Sequence, residues 1–460
     1  MGGWLRDQLL RRSCRSLNVD LAIPRGALAL ARELAPRLGG AFVPLDETAG
    51  SARVVIGRAE PRLELDLSDF RAPTLEEDLA RRDFTINAIA VSLQDWLRSP
   101  QAPAPLIDPL HGRDALARGQ LLACGPGAFE EDPARILRGF RFMAQLSFTL
   151  EPSVWPLMSR GLSTLRDVSG ERLRDELLLI LETDRAAEAA RGLHRLGALK
   201  VLLPELVAGC GISQGGFHHL DVFEHQLETV AQADRFLADF AEFSSPLQSP
   251  LAAYCAEPLV DRRSRKGLIK LAGLLHDIGK PARRTVEADG EIWFIGHEQT
   301  GADLVVGILE RLRLSNREAE MVRQLVRHHL RPGFLSREPA LTRRAIYRFF
   351  KELGDDGPGC LLTWWADRLA TRGVKSHLDQ IDQQRARLEE LLNAYFFKAE
   401  EVVRPPRLLD GRQLMETFQL PPGPLIGELL EALEEAQAEG RIRTPEQALA
   451  LALAHLKAAQ

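Results

Sequence analysis

Two groups of side chains in this 460-residue sequence have the types and spacing for phosphate chemistry. The first surrounds Arg81-Arg82-Asp83-Phe84-Thr85-Ile86-Asn87-Ala88-Ile89-Ala90, where two cations, a carboxylate and a carboxamide stand at the entrance to an apolar run. Phe84, Asn87, Ala88 and Val91 fall at helical spacing, which predicts a helix over 84–97. Upstream, Leu63, Leu65 and Leu67 alternate with Glu64 and Asp66, as in a half-buried strand with carboxylates on its other face. A strand over 19–23 ends at Pro24 and adds Asp20. Carboxylates on neighbouring strands can hold two metal ions roughly 3.5–4 Å apart, as in-line phosphoryl transfer requires. Gly2 and Gly3, opening a helix, would present backbone N–H groups and the helix dipole to an anion.

The second group is built on histidine. Of 11 histidines, His218, His219, His225, His276, His297, His328 and His329 stand in metal-ligand company, with Asp277 beside His276 and Asp367 further on. An apolar run from Leu271 to Leu275 leads straight into His276 and Asp277, and burying that pair demands partners. Imidazoles and carboxylates together suit a divalent ion with positions left open for water. Lys280 could steady a phosphate.

Between the two groups lies Glu131-Asp132-Pro133-Ala134-Arg135. Asp132 before a proline predicts an N-cap. Asp132 and Arg135 also share a helix face, so one can accept and the other donate along a planar edge. Cytosine and adenine each present an amine donor beside a ring-nitrogen acceptor, whereas uracil and guanine reverse that order. One Asp/Arg pair therefore fits C and A.

Taken in order, Gly2-Gly3 with Arg6-Asp7, then Asp20, Asp66 and the 81–90 stretch, resemble the class II nucleotidyltransferases: bacterial tRNA CCA-, CC- and A-adding enzymes and poly(A) polymerases. The resemblance implies Mg²⁺ at Asp20 and Asp66, with Asn18 where the family has a third carboxylate. It implies nucleotide contacts from Gly2, Gly3, Arg6, Asp7 and Arg82, a ribose check by Asp83 and Asn87, and base reading by Glu131, Asp132 and Arg135. The partners it implies are CTP and/or ATP and the 3′ end of tRNA or another RNA. In the family a strand runs into Gly-Gly, and here only Met1 precedes it, so either the start lies upstream or that strand is lost. The link from Asp66 to Arg81 is short, which by resemblance leans towards CC addition or poly(A)-type activity. The order His225, His276-Asp277, His297, His328 or His329, Asp367 resembles the HD-domain phosphohydrolases, implying a divalent ion of the Mg, Mn, Ni or Co class on those residues. The rival reading keeps this second site as the working one, with the first weakened by Asn18.

These sites need an α+β head with a small mixed sheet at 1–123, an all-α neck at 124–205, an all-α HD domain at 206–400 and a helical tail at 401–460. Further expectations are helix over 27–38, strands over 41–45, 52–57, 62–67 and 120–123, and a proline-rich linker at 99–105. Val168-Ser169-Gly170-Glu171-Arg172, with Glu176, predicts a capped, salt-bridged brace with no chemistry. Eight arginines between 316 and 351 read as a solvated face that could border an RNA path. A net charge of -5 argues against binding nucleic acid by global charge. Five scattered cysteines give neither a disulfide framework nor a zinc knuckle. With no signal peptide and no apolar run of membrane length, the expectation is a cytoplasmic protein without a membrane partner.

Overall fold

The computed structural model describes residues 1–12, 17–57, 62–98, 105–260 and 263–458. All of the 99–105 linker except Pro105, and Cys14, lie outside them. The fold is α+β, and the chain divides into two compact units: Met1–Ile180 with Ala189–Leu202, and Leu181–Glu188 with Leu203–Gln460.

In the first unit, helix α1 (Gly2–Leu9) leads to strand β1 (Leu17–Ile23), helix α2 (Ala27–Arg37) and strands β2 (Ala41–Asp46), β3 (Ser51–Ile56) and β4 (Leu63–Asp69). The sheet order is β1-β4-β3-β2, with β1 parallel to β4 and the other pairs antiparallel. Side chains alternate across it. Leu21, Ile23, Ala52, Val54, Ile56, Leu65 and Leu67 pack on Ala27, Ala31 and Ala35, which lie one helical turn apart on α2. The opposite face therefore carries Asn18, Asp20, Arg53, Glu64 and Asp66, brought side by side by the pairings Asn18↔Glu64, Asp20↔Asp66 and Arg53↔Asp66. Helix α3 (Leu75–Ala80) fills the link to the 81–90 stretch and starts in a capping box made by Thr74 and Glu77.

The helix expected over 84–97 is instead a 3₁₀ turn (Thr85–Asn87), a strand (Ala90–Val91) paired with Leu106–Ile107, and a helix (Leu93–Arg98). Phe84, Ile86, Ala88 and Ile89 are all fully buried, which a one-faced helix cannot achieve. Asp83 also accepts from Phe84 N–H and from Asn87 Nδ2, closing the chain into a single local turn. The expected Asp132 N-cap is displaced as well. Asp132 is extended, its carboxylate accepts from Ala134 N–H at 3.3 Å, and the next helix runs Arg135–Leu146 with Ala134 as its cap residue.

The second unit is mainly helical, and the expected all-α HD domain also holds two short antiparallel pairs, Pro258–Val260 with Arg263–Ser264 and Thr285–Val286 with Ile292–Trp293. Helices Val222–Phe236, Arg265–Leu275, His297–Arg311, Asn316–His328 and Gly357–Ala370 pack on one another, and the ends or inner faces of all five deliver the histidines and aspartates. Its last part, Gly411–Phe418, Pro424–Ala438 and Pro445–Ala458, has a core of its own around Leu414, Leu429, Leu433 and Ala448. The arginine run of 316–351 is largely neutralised. Arg317 pairs with Asp356, Arg323 with Glu320, Arg331 with Glu352, and Arg344 and Arg348 with Glu435. Among the described residues no helix is long and apolar enough to cross a membrane.

Candidate active sites

The head site is the polar face of the sheet closed by the start of α1. A Cβ on Gly2 would sit 2.5 Å from Asp20 Oδ2, and Gly2 has φ +70°, so only glycine lets the chain lie on that carboxylate. Burial raises the pKa of Asp20 and the nearby Asp66 adds to the rise, while the Gly3 N–H opposes it. Asp66 is engaged: Arg53 Nε donates to Oδ1 at 2.6 Å and its terminal nitrogen to Oδ2 at 2.8 Å. Arg53 also lies 3.1 Å from Glu64. Asn18 Nδ2 donates to Asp66 at 3.2 Å, leaving the buried Asn18 Oδ1 without a hydrogen-bond partner. One carboxylate and one orphaned carboxamide oxygen, both hard oxygen donors, fit a cation such as Mg²⁺. A second ion on Asp66 would have to displace Arg53.

Asp83 and Asn87 are 6 and 5% exposed and form one chain of hydrogen bonds. Arg6 donates to Asn87 Oδ1 at 2.9 Å, Asn87 to Asp83 at 3.1 Å, and Arg138 Nε to the other Asp83 oxygen at 2.9 Å. Burial would raise the Asp83 pKa, but Arg138, Phe84 N–H and Asn87 bring it down to about 2. Arg6 also binds Asp7 at 2.8 Å, and Arg82 lies 3.4 Å from Asp78. The predicted ribose contacts thus fix Arg6 in place.

Arg135 is likewise buried. It donates to the carbonyls of Arg81, Arg82 and Ala128, and its Nε is 3.7 Å from Asp132. The guanidinium that grips Asp132 is Arg172, at 2.8 and 2.9 Å. The sequence reading missed it, although its place in the 168–176 motif was a usable signal. Glu131 is exposed beside this pair. Glu176 pairs with Arg138 and Arg141, as a brace should.

The second unit gathers two buried triads that share Asp277: His225, His276, Asp277 and Asp277, His297, His329. Asp367 joins the first, 2.9 Å from His225 Nε2. In His276, His297 and His329 the Nδ1 faces a backbone carbonyl at 2.7–2.8 Å. A carbonyl only accepts, so Nδ1 carries a proton and each Nε2 is turned into the cluster. His276 Nε2 is buried without a well-formed hydrogen bond, and burial pushes the His329 pKa down to about 3. Imidazole Nε2 atoms converging on two carboxylates fit a divalent ion, whose charge would take the place of the His276 proton. Burial alone would raise Asp277, yet His276 and Lys280, whose Nζ is 2.6 Å away, hold it well below the usual carboxylate range. His328 is not part of this cluster. It turns to Glu352 at 3.5 Å because it sits one residue, about 100° of helix, away from His329.

Comparison with known proteins assigns the head and the HD domain. The Poly A polymerase head domain family matches residues 1–122, the probable RNA and SrmB-binding site of polymerase A matches 147–210, and the HD domain family matches 222–371. The A-adding tRNA nucleotidyltransferase of Deinococcus radiodurans is 38% identical over 459 residues, spanning 98% of this chain and 93% of that protein. This chain belongs to the tRNA nucleotidyltransferase family. The CC-adding tRNA nucleotidyltransferase of Thermus thermophilus is 34% identical over 98% of this chain and 92% of its own length. The structure of a CCA-adding enzyme with ATP has the same fold, with a TM-score of 0.63 at 21% identity, covering 99% of this chain and 90% of that one. As a member of this family the protein is a nucleotidyltransferase, and its head and HD domains imply dependence on divalent metal.

Proposed function

We propose that the protein extends the 3′ end of tRNA without a nucleic-acid template, adding CMP from CTP, as a cytoplasmic CC-adding enzyme. The observation that carries this is the capped helix α3 between β4 and Arg81, which leaves only residues 70–74 outside helix and strand where enzymes that add the terminal A often have a longer loop. Asp20 with Asn18 Oδ1 would hold Mg²⁺, which when bound supplies charge for the reacting phosphate. Gly2 and Gly3 would set the triphosphate against α1, and Arg6, fixed through Asn87 and Asp83, would meet its charge. Asp132, oriented by Arg172, would accept from the base amine. Binding energy from that amine rejects uracil, which offers a carbonyl there.

A second reading, addition of the terminal A, is favoured by the 38% identity to an A-adding relative. Purified protein with Mg²⁺, labelled CTP or ATP, and tRNAs ending before CCA, at C or at CC separates the two. Two C residues on the first tRNA and none on the third fit the proposal. A single A on the third alone gives the second reading, and no addition to any refutes both.

In the HD domain, His225, His276, Asp277 and Asp367 would hold one Mn²⁺, Ni²⁺ or Co²⁺ and His297 and His329 would share Asp277 with another. Such ions when bound make water nucleophilic at neutral pH. Lys280, clamped between Asp277 and Gln214, would orient the phosphate of a phosphohydrolase substrate.

A further inference from the structure

A cavity of about 410 Å³, with none of its lining in the sites above, is joined through the chain to the HD cluster. Phe217, Arg337, His377, Gln380, Gln383 and Gln384 line it. Two covalent links tie it to the cluster. Phe217 precedes His218, whose ring centroid is 4.4 Å from that of His225. Arg368 follows Asp367 and donates to Gln384 Oε1 at 2.5 Å and to His377 O at 2.7 Å. The walls are also stitched together, since Gly373 N–H donates to Phe217 O and Lys375 N–H to Gly216 O, both at 2.9 Å. Gly373 permits this approach, because any Cβ there would collide with the Phe217 backbone.

The lining has two chemistries. Its charge is positive: Arg337 is part of the lining, and among the described residues no carboxylate pairs with Arg337. The 17-residue helix Ile381–Phe397 begins at Gln380, so its positive end faces the same space. Asp379 and Asp382, which flank Gln380 and Ile381 in sequence, are exposed, and Asp382 is paired with Arg385. The second chemistry is planar and hydrogen-bonding. Phe217 is 46% exposed, and Gln380, Gln383 and Gln384 line the same space.

We propose that this cavity is the nucleotide subsite of the HD domain. A nucleobase stacks on Phe217, glutamine amides meet its edge, and Arg337 holds a phosphate so that the scissile phosphodiester reaches the His/Asp cluster. This rests on the hydrolase reading of that cluster. In the reaction a water oxygen bonds to phosphorus, the bond from phosphorus to the leaving oxygen breaks, and the water protons pass to the leaving group and solvent.

Two phosphodiesters test the subsite on the full chain loaded with Mn²⁺ at pH 8: thymidine 5′-monophosphate 4-nitrophenyl ester, which carries a nucleoside, and bis(4-nitrophenyl) phosphate, which does not. The ratio of their kcat/KM values should fall at least about tenfold in Phe217→Leu, as loss of a base stack predicts, whereas Arg337→Ala, which removes a phosphate contact both esters share, should lower both values about tenfold. Both residues are exposed, so the variants should fold. An unchanged ratio in Phe217→Leu, or no loss on either ester in Arg337→Ala, overturns the subsite and leaves the hydrolase intact. Independently, 8-azido-AMP is cross-linked by light and the peptides mapped. Label on Phe217 or within 377–384, lost in Arg337→Ala, is expected even without metal, and label confined to the head overturns the proposal. If neither ester is cleaved and His276→Ala changes nothing, the hydrolase reading fails, and the cross-link alone decides the cavity.

Discussion

Replacing Arg138 with methionine removes the cation that lets Asp83 stay ionised inside the protein. Asp83 is held at about 2 against an ordinary 3.8. At about 1.36 kcal/mol per pKa unit the ionised form is favoured by about 2 kcal/mol. Because the folded value is the lower one, that stability is fully present above pH 3.8 and is lost as pH falls through about 2. With Arg138 gone, burial dominates and the Asp83 pKa should rise above 3.8, so at pH 7 an unpaired buried charge remains, at a cost of roughly 3–5 kcal/mol. The penalty should shrink as pH drops and Asp83 protonates. The assay is urea unfolding by tryptophan fluorescence of the wild type, Arg138→Met, Asp83→Asn and the double variant, at pH 7 and 5. Trp4 and Trp96, whose rings lie 5.6 Å apart in the first unit, report on the region concerned. A double variant no less stable than Arg138→Met alone is expected. Additive losses would show that the two side chains are not coupled and would refute the reasoning.

Asn18→Asp should lower the Mg²⁺ concentration at half-maximal nucleotide addition several-fold, since a carboxylate replaces the orphaned carboxamide oxygen; an unchanged Mg²⁺ dependence would show that Asn18 is not a ligand. Gly2→Ala should abolish addition while leaving the melting temperature within a few degrees, because the new Cβ strikes Asp20 Oδ2 at a residue with φ +70°; full activity would show that Gly2 does not shape the site. Arg172→Ala should cut the preference for CTP over UTP by roughly tenfold, the value of a hydrogen bond to a charged group, as read by competing single-nucleotide additions. Dialysis against a chelator should lower the melting temperature by roughly 5–10 °C if ions had been present at about 100 times Kd, and Mn²⁺, Ni²⁺ or Co²⁺ should restore it in the wild type but not in His276→Ala.

The strands and the histidine cluster were legible because their signals are local. Alternation along 63–67 fixed which side chains share a face of the sheet, and the apolar helix running into His276 and Asp277 announced a buried polar pair. The 84–97 segment misled because its apolar residues match helical spacing yet bury on every side, which depends on what surrounds them. Arg53 on Asp66 and Arg172 on Asp132 join residues 13 and 40 positions apart, and no periodicity encodes such a pairing. His328 and His329 were equal in sequence, and only the orientation of the preceding helix selects between them. Arg344, Arg348 and Lys351 read as a solvated face that could border an RNA path, until the tail supplied Glu435 to the arginines and Glu431 to the lysine.

The parity of the head sheet limits how its active site can change. Every strand side chain on the face of Asp20 comes from an even position on β1 or β4 or an odd one on β3, while the other parity is committed to the core against α2. A deletion of one residue in either strand would turn the carboxylates into the core and the leucines into the site at once. Variation is therefore confined to exchanging chemistry at fixed addresses. The pair Asn18 and Arg53 is such an exchange: one anionic oxygen is absent, and a guanidinium stands among the carboxylates. A change at either address should be tolerated best when the other compensates its charge, so the two positions are expected to drift together rather than singly.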